Sequence, residues 1–124
     1  MTDAKPIIFK KIRTILEGFE SSTLKGRGND KKYEMSGTKD IVYMNREFKG
    51  MFFAAVMIQK GFVSLHYFPI YCNPKLIAEV PDNLKKLLKG KSCFNIKKDD
   101  PEIYKSIKTL IKSGKAFYKK QGWI

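Results

Sequence analysis

The sequence predicts an α+β fold: an antiparallel sheet of about five strands, a meander plus one later strand, with N- and C-terminal helices and two short helices before the last strand. Three observations carry that prediction. Apolar residues recur at helical spacing near both ends of the chain. Between residues 32 and 71 the pattern changes to alternation and then to a continuous apolar run. Hydrophobic residues make up 43% of 124, which suits one core and one domain over residues 1–124.

Residues 5–17 place Ile8, Ile12, Ile15, Leu16 and the following Phe19 on one helical face, with Asp3 as N-cap and Gly18 as stop. Residues 20–31 are polar and contain Ser21, Ser22, Gly26 and Gly28, the composition of a loop. Tyr33 and Met35 then alternate with polar neighbours, and Ile41 to Met44 follow Gly37. The run from Met51 to Gln59 suits a central strand. Lys60-Gly61 is a two-residue turn into a further strand, read from Phe62 to Tyr71. Asn73-Pro74 caps a short helical turn over residues 75–79. Pro81-Asp82 starts a second short helix with Leu84, Leu87 and Leu88 inward, ended by Gly90. Ser92 to Lys97 reads as the last strand. Asp99-Asp100-Pro101-Glu102 combines cap, proline and early acidic charge, a helix start. Ile103, Ile107, Leu110, Ile111, Gly114, Phe117 and Tyr118 give that helix one apolar stripe, running to about Gln121.

Composition excludes several functions. The longest apolar run, Met51 to Ile58, has eight residues; a membrane span needs ~20. The first residues carry no apolar export signal, so the cytoplasm is the expected compartment. In that compartment Cys72 and Cys93 are expected as reduced, buried thiols. Lys89-Gly90-Lys91-Ser92 resembles the end of a phosphate-binding loop, but the position five before Gly90 is Lys85, and a helix precedes where a strand is required. Gly26-Arg27-Gly28 is a fragment of a dinucleotide fingerprint without its strand. The single His66 has no nucleophile or acidic partner near it in sequence, so it is read as structural rather than catalytic. No CxxC pair and no acidic cluster supplies a metal site, and no cofactor is expected.

Twenty-five Lys and Arg face twelve Asp and Glu, a net charge of +13. Only Arg13, Arg27 and Arg46 are arginine, so the surface attracts anions by its field rather than by guanidinium forks. Lys105, Lys108, Lys112, Lys115 and Lys119 fall on one face of the last helix, spanning about 21 Å at a rise of ~1.5 Å per residue. Such a stripe is ordinarily the solvated face of an amphipathic helix; the alternative is a ridge for weak, sequence-independent nucleic-acid binding. Tyr67, Tyr71 and Phe94 fall where the meander ends and the later strand begins, close in sequence to Lys91, Ser92, Asn95 and Lys97. Aromatics beside lysines suit a pocket for a small anionic ligand, although aromatics equally fill cores.

Four blocks are similar to the YdhG-like family of uncharacterised domains: Phe53-Ala54-Ala55-Val56-Met57-Ile58-Gln59-Lys60, Tyr67-Phe68-Pro69-Ile70-Tyr71, Gly90-Lys91-Ser92-Cys93-Phe94-Asn95-Ile96-Lys97 and Tyr118-Lys119-Lys120-Gln121-Gly122-Trp123. The resemblance covers the chain from about residue 30 onward. It implies a small intracellular α+β domain and, as an alternative role, frataxin-like iron handling. It brings no catalytic residues. The leading expectation is therefore a non-enzymatic domain binding a small anionic ligand, without membrane association.

Overall fold

The computed structural model describes residues 4–124. Helix α1 spans Lys5–Glu17, followed by strands β1 (Leu24–Gly28), β2 (Lys32–Gly37), β3 (Asp40–Tyr43), β4 (Arg46–Lys49), β5 (Phe52–Gln59) and β6 (Phe62–Tyr67). Then come the short helix α2 (Phe68–Cys72), a 3-10 helix (Pro74–Glu79), α3 (Asp82–Lys85), β7 (Leu88–Lys89), β8 (Cys93–Ile96) and the long α4 (Pro101–Gln121). Six strands form one sheet in the order β1-β2-β5-β6-β8-β7, and β3-β4 form a separate two-stranded ribbon. Every pairing is antiparallel. The predicted class holds, with six strands in the main sheet rather than about five.

Several strand readings change: Arg46–Lys49 is a further strand, and Leu88–Lys89, read as the end of the second short helix, is strand β7, since that helix ends at Lys85. The stretch read as a loop contains β1, an edge strand paired with β2 from Leu24 opposite Gly37 to Gly28 opposite Tyr33. The strand read from Phe62 to Tyr71 ends at Tyr67, and the chain turns into α2. Pro69 accounts for that end, because it has no N–H for a ladder and fits a first helical turn. The Lys60-Gly61 turn joins β5 to β6 as expected, with Gly61 at φ +90°. Asn73 caps the 3-10 helix, and Asp100 caps α4 by accepting from the Glu102 N–H at 3.0 Å. Asp3 lies outside the described residues; Ala4 precedes the first turn of α1 and offers no side-chain cap.

Strand alternation divides the sheet into two faces. Tyr33, Met35, Val56, Leu65, Tyr67, Phe94 and Ile96 point to one face and are buried. They join Ile8, Ile12 and Leu16 of α1 and Ile107, Ile111 and Tyr118 of α4 in one core. Burying a side chain of this size contributes ~1.5–3 kcal/mol, so these two helices hold the sheet from one side. Apart from Phe53, the extra residue at the β2–β5 register shift, which stays in the core, residues of the opposite parity face away from them. Ala55 shows this well: it is buried among its sheet neighbours yet lies outside that core. Glu34, Met57, His66 and Cys93 share its side of the sheet and are half-buried.

Candidate functional site

The seven residues expected to share a pocket do not converge. Tyr67 and Phe94 point into the helix-covered core and are 1% and 0% exposed. The Tyr67 hydroxyl donates to the Leu110 carbonyl at 2.6 Å, which leaves it no role at a surface. Tyr71 lies beyond the end of β6 on α2, 48% exposed and stacked on Phe68 with ring centroids 5.0 Å apart. Lys91 is exposed in the turn between β7 and β8, and the Ser92 carbonyl accepts from the Tyr67 N–H at 2.8 Å. Asn95 and Lys97 alone share a hollow, of about 390 Å³, with Lys86, Lys89 and Lys98 at the sheet edge. Alternation separates the set: Phe94 turns inward, so its neighbours Cys93 and Asn95 turn to the other face.

A larger hollow of about 730 Å³ lies between α1 and α4. On α1 and its C-cap, Ile7, Lys11, Thr14 and Gly18 follow one another at spacings of four, three and four, so they line one face along the helix. Ile15, Phe19 and Tyr104 complete a mainly apolar floor. Ile7 is 42% exposed, an apolar side chain left uncovered. The rim is cationic. Lys11 sits over the Tyr104 ring at 5.3 Å and pairs with Asp99 at 2.9 Å. Lys10 and Lys108 also line the groove, are exposed, and form no ion pair among the described residues. Aromatic and lysine side chains thus do meet in one hollow, but they come from the two terminal helices.

Of the five lysines predicted to share one face of α4, four are exposed: Lys105, Lys108, Lys112 and Lys119. Lys115 instead folds back, its Nζ donating to the Phe19 carbonyl at 2.9 Å. Its position borders the apolar stripe, so its stem is half-buried. Lys105 pairs loosely with Glu102 at 3.5 Å.

On the sheet face away from α1 and α4, the β6–β8 register sets His66 directly opposite Cys93. The Cys93 Sγ lies 2.8 Å from the His66 Nδ1. Burial lowers the His66 pKa, with Lys32 adding to it, and burial raises that of the Cys93 thiol. The neutral thiol and neutral imidazole are therefore the favoured forms at neutral pH. Nothing local in the chain signals this pair, since its members are 27 positions apart; correct strand pairing between β6 and β8 would have found it. Both cysteines are free, and Cys72 lies among the Tyr43 and Tyr118 hydroxyls, its thiol pKa raised by burial. Among the described residues, no group of three or more His, Cys, Asp or Glu side chains could hold a metal ion. No helix among them is long and apolar enough to cross a membrane.

Comparison with family models, with curated proteins and with solved structures finds no match to this chain.

Proposed function

We propose that this chain is a non-enzymatic binding domain for a small amphipathic anion, held in the groove between α1 and α4. The observation that supports this reading is the joining of an apolar floor to unpaired cations. Ile7, Ile15, Phe19 and Tyr104 form a surface for a hydrocarbon or aryl body, and Lys10 and Lys108 stand at its rim. The volume of about 730 Å³ falls inside the ~300–1,000 Å³ usual for small-molecule sites. A neutral apolar ligand would leave the lysines unused, and a compact anion would leave the floor wet. An acyl or aryl carboxylate satisfies both. The YdhG-like resemblance is compatible with such a domain and adds no ligand of its own.

Calorimetric titration with dodecanoate tests the reading, with dodecanol and acetate as the two half-ligands. Dodecanoate should bind and each half-ligand should bind at least tenfold more weakly. Replacing Lys10 and Lys108 together by alanine should weaken dodecanoate about tenfold, the scale of one desolvated charge contact. Equal affinity for dodecanoate and dodecanol would remove the anion from the proposal, and no binding of either would remove the groove.

A second reading has its own support. Lys105, Lys108, Lys112 and Lys119 stand exposed along α4, an arrangement that favours a polyanion bound without sequence preference. Its mark is steep salt dependence, each neutralised phosphate contributing a slope of about −0.9 on duplex DNA. Replacing Lys108, Lys112 and Lys119 by alanine should flatten the slope by roughly 2–3 in a titration from low to moderate salt. An unchanged slope would dispose of the ridge. The frataxin-like alternative draws on the resemblance alone, and no acidic cluster among the described residues favours it.

A further inference from the structure

The face of the sheet away from α1 and α4 carries a nucleophile and a base in contact. We propose that Cys93 is a thiol-exchange site, with His66 as its general base, taking small anionic disulfides to form a reversible mixed disulfide. The pair meets the geometric requirement for an activated nucleophile: Sγ and Nδ1 are 2.8 Å apart, within hydrogen-bond reach. Both sit on strands of a six-stranded ladder, paired residue for residue, so the contact is set by backbone register rather than by mobile loops. Both are half-buried on the side of the sheet facing away from α1 and α4. Ala55 lies opposite His66 on β5, the smallest side chain beside the pair on this face.

The charges around the pair fit an anionic partner. Lys89 of β7 is directly opposite Cys93 on the same face. Lys91 is exposed in the turn two residues before it, and Lys32 of β2 acts on His66 across the sheet. Glu34 is the acidic group of this face, and Arg27 and Lys32 both pair with it, at 3.5 and 3.7 Å. A disulfide bearing carboxylates would find positive charge next to the thiol.

The exchange balances without a further reagent. The Cys93 S–H proton passes to His66 Nδ1 as the sulfur attacks one sulfur of the incoming disulfide. A new S–S bond forms to Cys93, the old S–S bond breaks, and the departing thiolate recovers the proton from the imidazolium. One disulfide and one thiol become one mixed disulfide and one small thiol. Cys72 is the internal control, because it is also half-buried with a raised thiol pKa but has tyrosine hydroxyls as neighbours instead of a base.

The experiment follows both cysteines of the full chain by peptide mass spectrometry during reaction with oxidised glutathione. Cys93 should be modified at least about tenfold faster than Cys72, on the lower edge of what a placed general base contributes. His66→Gln and His66→Phe should each slow Cys93 to near the Cys72 rate and leave Cys72 unchanged. A variant that loosens the fold would show itself by faster labelling at Cys72. The wild-type pH profile then decides, because protonated His66 has no lone pair at Nδ1. The Cys93 rate should rise through an inflection below pH 6.5 that the Cys72 rate lacks. Equal rates at the two cysteines, or a Cys93 profile without that inflection, would overturn the proposal.

Discussion

Tyr67 and Leu110 are joined across the core: the phenol at the end of β6 donates to the main-chain oxygen of α4 at 2.6 Å. The contact needs Gly114 one turn on, where a Cβ would overlap the Tyr67 hydroxyl and ring. Two substitutions follow from that fit. Tyr67→Phe should cost about 1 kcal/mol, since the Leu110 carbonyl keeps its helical partner and only the phenol's bond is lost. Gly114→Ala would normally stabilise a helix interior by ~1 kcal/mol, yet here it should destabilise by about 1–3 kcal/mol through overpacking. Urea midpoints would also show the pair of changes costing less than their sum, because phenylalanine vacates part of the space.

Tyr33 presents the opposite case. Its ring is 2% exposed under the Arg13 guanidinium, 4.9 Å from the ring centre. Its hydroxyl is buried beside Gly26 with no hydrogen-bond partner among the described residues. Burial, followed by the nearby Glu20 carboxylate, pushes its pKa up to about 12. Glu20 Oε1 accepts from the Gly26 N–H at 2.8 Å. Tyr33→Phe therefore removes an unsatisfied buried group and keeps the stacked ring. Thermal unfolding should register no loss, or a gain of up to about 1 kcal/mol. A loss like that of Tyr67→Phe would mean the hydroxyl has a partner after all.

The β3–β4 ribbon turns at Met44 and Asn45, both at positive φ, +51° and +62°. Two left-handed residues between paired Tyr43 and Arg46 make the tight turn that suits a twisted hairpin. Asparagine tolerates that backbone; methionine does not favour it, and here it is 78% exposed with no packing in return. Met44→Asn should stabilise the ribbon by about 0.5–1 kcal/mol. Because the ribbon is separate from the main sheet, amide hydrogen exchange within β3 and β4 is the right measurement, with slower exchange expected there and no change in β5.

Both long helices were legible because local signals agreed with the final packing. Periodicity, Asp100 and Pro101 set α4, and the predicted stripe is buried from Ile103 to Tyr118, with Phe117 at its margin. Strand β1 was illegible for a physical reason. Of its five residues only Leu24 is buried, and two are glycine, so its strand state comes from pairing with β2 rather than from its own composition. The site failed for a related reason. Neighbours in a strand point to opposite faces, so closeness in sequence separated Phe94 from Cys93 and Asn95. The two features that bear on function, the α1–α4 groove and the His66–Cys93 pair, join residues far apart in the chain. Only tertiary placement brings them together.

Asp99 was read with Asp100 as part of one helix cap, yet the two have separate work. Asp100 caps α4, while the Asp99 carboxylate accepts from the Tyr104 hydroxyl at 2.6 Å and from Lys11 at 2.9 Å. The Tyr104 bond first, and Lys11 after it, hold the Asp99 pKa below its usual value of 3.8. A carboxyl depressed in the folded state contributes stability above its unfolded pKa and loses that contribution as pH falls through the folded value. The unfolded chain takes up the proton first, so acid favours unfolding. Asp99→Asn removes this titration while leaving an acceptor for Tyr104. Its urea midpoint should lie below the wild type at pH 7, and the gap should close as pH falls through the lowered folded value and the wild-type carboxyl takes up its proton. The pairing is exposed, so added salt should shrink the gap at pH 7 as well. A gap that stays unchanged as pH falls would mean that Asp99 acts through its shape and hydrogen bonding to Tyr104 rather than through its charge.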